Sequence, residues 1–429
     1  MAKQGAKTAM PRLRFPEFRG AEPWKAAELS TLASRVAIKN TSGRVTRVLT
    51  NSAEFGVLDQ RDYFDKDIAT AGKTDGYYVV EKGDYVYNPR ISERAPVGPI
   101  SRNDLGEGVM SPLYTVFRFS AKQTDFYRHY FSSTGWHAYL RSAASTGARH
   151  DRMSIANEAF MRMPLPIPEM AEQRKIADCL TSLDEVIAAQ GRKVEALKAH
   201  KRGLMQQLFP GEGEARPRLR FPEFRNAPEW EEKPLGELVD LLSGYPFNGE
   251  DIVEDGSGEP LMRGINITEG AVRHSNDIDR YYLGSLKGLE KFRLKVNDLV
   301  IGMDGSKVGK NSALIENADA GALLIQRVAR LRTVSASLIK FIFHQVQSPR
   351  FHSYVDRINT SSGIPHISAK QIKEYLIQFT IEAEQRRIAA CLTCLDARIR
   401  AEGDRLATLK TNKQGLMQQL FPAPEATGV

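Results

Sequence analysis

Apolar residues recur on alternating steps of four and three from Ile176 to Leu208, through Leu180, Leu183, Ile187, Val194, Leu197 and Leu204. The same spacing returns from Ile388 to Leu420, through Leu392, Leu395, Ile399, Leu406, Leu409 and Leu416. Gln190 and Lys201 interrupt the first series, and Glu402 and Lys413 interrupt the second at the matching places. A seam that repeats about every 3.5 residues suits a coiled coil, where isolated polar seam residues lower stability but fix register. The pattern predicts two helices of about 37 residues, each roughly 55 Å long at about 1.5 Å per residue. Neither fits on one face of a single globular domain.

The sequence around the seam is itself duplicated. Glu172 to Pro210 aligns with Glu384 to Pro422 without a gap, and 24 of the 39 positions are identical. An apolar stripe alone commonly marks an independent surface helix. Shared sequence, shared length and shared polar breaks argue instead that the two copies pack on each other, antiparallel. A second duplicated string, PRLRFPEFR, begins at Pro11 and at Pro217 and leads to Trp24 and Trp230. Its prolines break regular structure, and its aromatic residues read as anchors that pin an extended segment to the next domain. No chemistry is assigned to it.

Between these landmarks the pattern shortens to strand-like runs. The first half has GRVTRVLT from Gly43, GYYVVEKGDYVYNP from Gly76 and SPLYTVFRF from Ser111, then a helical stretch from Asp125 to Leu140 and a polar loop from Ser145. The second half has FRLKVNDLVIGMDGSKVGK from Phe292 and GALLIQRVARLR from Gly321, then a helical stretch from Ser337 to Val355 and a loop from Ile358. Alignment backward from the long helices pairs Ile155 with Ile367 and Phe160 with Ile372. The expected architecture is α+β with an internal pseudo-two-fold repeat. Two globular α/β domains, 1–168 and 211–381, are separated by a pair of long antiparallel coiled-coil helices, 169–210 and 382–422, and a tail of 423–429 follows.

Composition adds limits. With 429 residues, 41% of them hydrophobic, the chain can form two or three domains with real cores. A net charge of +8 favours a polyanionic partner without establishing one. Three cysteines make no disulfide framework. The Cys391/Cys394 pair lies within the seam pattern with no second pair to complete a zinc site, so these are expected to be small buried hydrophobes, as is Cys179. The N-terminal residues include lysines but no apolar run, and no stretch nears the roughly 18 apolar residues of a membrane span. The expected compartment is the cytoplasm, with no membrane partner.

Candidate chemistry is sparse. DGSKVGK from Asp304 departs from the phosphate-loop pattern in spacing and in the residue after its lysine, but it forms a donor-rich exposed loop suited to nucleic acid. Asn88-Pro89-Arg90 lacks the second proline and the aromatic residue of an adenine methyltransferase motif and reads as a turn. The histidines show no metal-ligand spacing, and His150 and His366 fall in the loops ahead of the long helices. No paired carboxylates or nucleophile motif is evident, so neither catalysis nor a bound metal is expected of this chain.

The order of variable domain, duplicated helix, variable domain, duplicated helix resembles the specificity subunit (HsdS) of type I restriction-modification systems. The resemblance rests on EQRKIADCL and LKAHKRGLMQQLF with their second copies, on RDYFDKDIA, EKGDYVYNP and GVMSPLYTVF in the first half, and on GYPFNGEDI, LMRGINIT and NDLVIGMDGS in the second. It implies two target recognition domains that each read half of a bipartite site in double-stranded DNA, held apart by the helices. It also implies two methyltransferase (HsdM) subunits carrying S-adenosylmethionine and two restriction (HsdR) subunits using ATP and magnesium, with no cofactor bound by this chain. Under that resemblance, loop position and side-chain chemistry nominate Arg90, Arg94, Arg102, Asn103, Arg149, His150 and Arg152 for DNA contact in the first domain. In the second they nominate Arg263, Asn266, Ser306, Lys307, Lys310, Asn311, Asn359, Ser362 and His366. The alternatives are a specificity subunit serving a methylase-nuclease fusion, an autonomous nuclease, and a structural coiled-coil adaptor, the last marked by salt-independent binding to its partner and no affinity for duplex.

Overall fold

The computed structural model describes residues 8–63, 74–120, 125–144, 151–305, 307–359 and 365–422. The chain forms two compact units, one of residues 1–191 with 404–429 and one of residues 192–403. The seam lies on two helices of 39 residues, Met170–Leu208 and Glu382–Leu420, each beginning in one unit and ending in the other. No helix among the described residues is long and apolar enough to cross a membrane.

In the first unit Ile176 and Leu180 share a core with Met417, Leu420 and Phe421, while Asp184, further along, meets Lys413. One helix advances as the other recedes, so the segments run antiparallel. In the second unit Met205 and Leu208 pack with Ile388 and Leu392, and the Lys201 ammonium lies 2.6 Å from Asp396. Lys193 pairs with Glu402 in the same unit. Three of the four polar breaks are therefore filled by opposite charges from the facing helix, which penalises any slip of register.

Each unit carries a four-stranded antiparallel sheet of the same order. In the first the order is Ala33–Val36, Thr115–Phe119, Tyr85–Tyr87, Ile100–Arg102. In the second it is Asp240–Ser243, Val328–Arg332, Leu299–Gly302, Ser312–Leu314. The turn into the third of these strands is the same device in both units. A left-handed residue, Gly83 at φ +97° or Asn297 at φ +69°, precedes a buried aspartate. That aspartate, Asp84 or Asp298, accepts from the Glu81 or Lys295 amide at 2.7 Å and from the Arg118 or Arg332 Nε at 2.6 Å.

Several local expectations need correction. The helical stretch from Asp125 is two helices, Phe126–Phe131 and His137–Ala143, and the one from Ser337 is broken at Pro349, which lacks an N–H to continue it, into Ala336–Val346 and Pro349–Ile358. Of the run from Gly43 only Leu49 and Thr50 lie in a strand, Leu49–Ser52. GALLIQRVARLR is two strands, Leu323–Leu324 and Val328–Arg332, parted by a turn. Cys394 is exposed, and Cys179 and Cys391 are only half-buried, because they lie on the flank of the helices rather than on the seam.

The PRLRFPEFR strings do carry chemistry. In the first unit Arg14 donates to Glu172 at 2.6 and 2.8 Å with both side chains buried, and the Leu13 amide donates to the Gln419 carbonyl at 2.9 Å. In the second, Arg220 donates to Glu384 at 2.7 and 2.8 Å and the Leu219 amide to the Gln207 carbonyl at 2.9 Å. Each string is a strap that ties the start of one long helix to the end of the other. The third donor to the carboxylate differs: the Trp24 indole at 2.9 Å in the first unit and the Thr380 hydroxyl at 2.6 Å in the second. Correspondingly, the Trp230 indole nitrogen is buried without a hydrogen-bond partner.

Each sheet domain also seats a histidine on the helices. His129 Nε2 lies 3.0 Å from the Thr181 hydroxyl and its Nδ1 lies 3.8 Å from Asp184, the carboxylate that holds Lys413. His344 repeats this with Thr393 at 3.2 Å and Asp396 at 3.7 Å, the carboxylate that holds Lys201. Burial first, and the adjacent lysine next, push His129 down to about 4 and His344 down to about 3. An unfolded imidazole titrates near 6.5, so between that value and about 4 the unfolded chain binds more protons than the folded one. Stability is therefore fully present above about pH 6.5 and declines as pH falls toward 4. Urea midpoints should fall steadily from pH 7 to pH 5, and His129→Gln with His344→Gln should flatten that slope. An unchanged slope in the double variant would remove the histidines as its source.

Candidate nucleic-acid interface

The second unit has a cleft of about 870 Å³ in which the loops after Met262, Met303 and Leu324 converge. Arg263, Arg273, Lys307 and Arg327 line it against two acidic side chains, Glu269 and Asp304, and Asn311, Gln326 and Thr268 add neutral donors and acceptors. Glycine chemistry shapes its surroundings: Gly305 on the cleft at φ +90° and Gly309 at φ +68° take left-handed conformations, and the Gly309 amide returns to the Gly302 carbonyl at 2.9 Å. Lys307 reaches Glu269 at 2.9 Å, and Arg327 reaches Asp304 at 3.0 Å. The Asp304 backbone in turn bridges that of His366.

Of the residues nominated from the sequence, Arg263, Lys307 and Asn311 line this cleft, and His366 is tied to its edge. Asn266 is a correction: it is 1% exposed, and its amide donates to Asp279 at 2.8 Å and to the Arg273 carbonyl at 3.2 Å. It organises the loop that carries Arg263 and Arg273. Asn359 accepts from the His366 amide at 2.8 Å and donates to the Val355 carbonyl, and Lys310 pairs with Asp356, so neither lines the cleft. Ser306 and Ser362 lie outside the described residues, as do Arg149 and His150 of the first domain. Arg273, Gln326 and Arg327 were missed by the sequence reading.

In the first unit Arg90 and Arg152 meet through a backbone bridge that is the counterpart of Asp304 with His366. The Asn88 side chain caps this turn, accepting from the Arg90 amide at 3.0 Å. Arg94 pairs with Glu54 on a separate cavity of about 600 Å³ that Arg102 also lines. One nomination is contradicted here, and a second is held in ion pairs. Asn103 is fully buried, and its amide donates to the Glu81 and Gly106 carbonyls at 2.9 and 2.7 Å. Arg102 is held between Asp104 at 2.7 Å and Asp125 at 2.6 Å, so its charge is more than balanced before any phosphate arrives.

A further pair of cavities repeats between the units. Met205, Gln206, Phe209 and Pro210 line one of about 570 Å³ in the second, and the equivalent Met417, Gln418, Phe421 and Pro422 line one of about 490 Å³ in the first. Among the described residues no group of three or more histidine, cysteine, aspartate or glutamate side chains is placed to hold a metal ion.

Comparison with known proteins points in one direction. Residues 228–411 match the type I restriction modification DNA specificity domain. The chain is 24% identical over 322 residues to the type I restriction enzyme MjaVIII specificity subunit of Methanocaldococcus jannaschii, covering 73% of this chain and 74% of that one. It is 31% identical over 228 residues to the EcoAI specificity subunit of Escherichia coli, covering 52% of this chain and 36% of that one. Its fold is that of the type I restriction-modification S subunit from M. genitalium, with a TM-score of 0.57 at 14% identity over 96% of this chain and 99% of that one. A structure from a study of assembly in the type I system matches with a TM-score of 0.55 at 16% identity over 94% of this chain and 98% of that one. Domain match, relatives and a fold written twice agree: the chain carries a type I restriction modification DNA specificity domain over residues 228–411 and is similar to type I restriction enzyme specificity subunits.

Proposed function

We propose that this chain reads a bipartite site in double-stranded DNA, one half-site with each sheet domain. On this reading it seats two adenine methyltransferase subunits and, through them, two restriction subunits. S-adenosylmethionine belongs to the methyltransferases and ATP with magnesium to the restriction subunits, and no group of this chain takes part in bond making.

The observation that carries the reading is unequal duplication. The strap, the histidine seat, the seam charges and the apolar end cavities occur twice with the same residue types, which supports two copies of one partner. The loops over the two sheets differ, which supports two different half-sites. In the second unit Arg263 and Arg273 of the cleft suit phosphate contact, which gives affinity and register without sequence information. Its arginine, asparagine and glutamine side chains suit base edges, each good pair contributing about 1 to 3 kcal/mol of discrimination.

The test is the methylome of a modification-free host expressing the chain with its neighbouring methyltransferase, beside the methyltransferase alone. The expected result is a split motif of two short halves around an unread spacer, with methyladenine in both and only when this chain is present. A soluble complex that adds no methylation would reject the reading.

A further inference from the structure

We infer that Arg327, positioned by Asp304, reads a guanine in the half-site of the second unit, an assignment that rests on the DNA-reading function proposed above. The first observation is conformational. Arg327 sits at φ +66°, in the left-handed region that a Cβ disfavours, and among the described residues only Asn297 shares this with it outside glycine. Asparagine is tolerated there because its short amide bonds locally; arginine has no such compensation.

Folding explains the backbone but not the side chain. The turn is pinned on both sides, by the Gln326 amide donating to the Tyr245 carbonyl at 2.8 Å and the Met303 amide donating to the Arg327 carbonyl at 2.9 Å. The Arg327 side chain is 67% exposed, so no core requires it, and glycine would occupy the turn without strain. An outlier retained at the mouth of a cleft is the kind of position where strain accompanies function.

The second observation is the partner. Arg327 Nη1 donates to Asp304 Oδ2 at 3.0 Å, and Asp304 is itself fixed by its backbone bridge to His366. A carboxylate on one edge of a guanidinium sets the plane of the fork and leaves its other N–H groups directed outward. The ligand that suits such a fork is a pair of adjacent acceptors. A phosphate offers them, but the Arg327 charge is already balanced by Asp304, so a phosphate on this fork would lie beside that carboxylate and gain little net attraction. The O6 and N7 atoms of guanine offer the same pair on a neutral base. Asp304 is then a positioning residue, and the reading contact is made by Arg327.

The test uses the full chain assembled with its methyltransferase, as wild type, Arg327→Gly, Arg327→Lys and Asp304→Asn, with thermal unfolding of each complex and the methylome of each in a modification-free host. Arg327→Gly should melt no lower than wild type, because glycine relieves the strained φ. It should nevertheless make one guanine position in one half-site degenerate, lowering the preference there about 5- to 100-fold and leaving the other half-site unchanged. Arg327→Lys should relax the same position, since an ammonium cannot present a rigid fork, and Asp304→Asn should relax it less. An unchanged motif in Arg327→Gly overturns the assignment. So does a weakening that is equal across all sequences and restored by lysine, which marks a phosphate contact, and so does a large drop in melting temperature, which marks a structural arginine. A wild-type complex that methylates no split motif would fail the DNA-reading proposal itself, and this outcome is distinct from the others.

Discussion

A fragment ending at Pro210 should form a dimer, whereas the full chain needs no second copy to close its first unit. In that unit the core is completed by Met417, Leu420 and Phe421, and the Phe421 ring stands 5.5 Å from that of Phe126 and 5.6 Å from that of Tyr130. The strap is completed by the Gln419 carbonyl and the Asp184 carboxylate by Lys413. The fragment lacks all of these, yet it carries their equivalents in Met205, Leu208, Phe209, Gln207 and Lys201. A second copy can offer them in return, and the exchange is isologous and self-limiting at two. Sedimentation should give twice the fragment mass, and Phe209→Glu should give half of that by placing an unpaired charge against the ring cluster. With methyltransferase present, the dimer should direct methylation to a palindrome made of the first half-site twice. A fragment that stays monomeric beside its methyltransferase would refute the exchange.

Removal of the strap carboxylate should have the largest effect of any single substitution. Glu172 and Arg14 are 1% and 6% exposed in their side chains, and the Trp24 indole also donates to Glu172. Glu172→Ala leaves a guanidinium and an indole N–H without their acceptor in a site that water reaches poorly. Breaking a buried pair in this way costs about 3 to 5 kcal/mol, most of it the burden of the abandoned charge. Arg14→Met with Glu172→Leu removes both charges together and should recover most of the loss, because a matched apolar pair carries no desolvation penalty. Urea unfolding of the three chains decides the matter: a loss below about 1 kcal/mol in Glu172→Ala would mean that the pair is no more than a surface contact.

The sequence made the long helices legible because their seam has a fixed period and their polar breaks recur at matching places. The backward alignment holds in three dimensions for one of its two pairs: Phe160 and Ile372 are both buried on the short helix that precedes the last strand of their domain, whereas Ile367, whose amide donates to the Met303 carbonyl, corresponds to Met153, whose amide donates to that of Pro89, and not to Ile155. The strap arginine was not legible, because Arg14 meets a carboxylate 158 positions away and nothing local marks it as buried. Asn103 and Asn266 have the same chemistry as base-reading asparagines, and only burial reveals that their amides are already committed. Arg327 was hidden by a run that reads as one continuous strand. The break in that run comes from hydrogen bonds to Tyr245 and Met303, which a single-strand pattern cannot contain.

The histidine seats have a consequence for how such chains acquire new targets. His129 with Thr181 and Asp184 makes the same set of contacts as His344 with Thr393 and Asp396, and the straps close on equivalent glutamates, Glu172 and Glu384. A recognition domain that brings its own strap arginine and seat histidine therefore finds matching helix chemistry in either half of the chain. A crossover within the duplicated helix codons would exchange a whole sheet domain and leave the helix chemistry on which it packs unchanged.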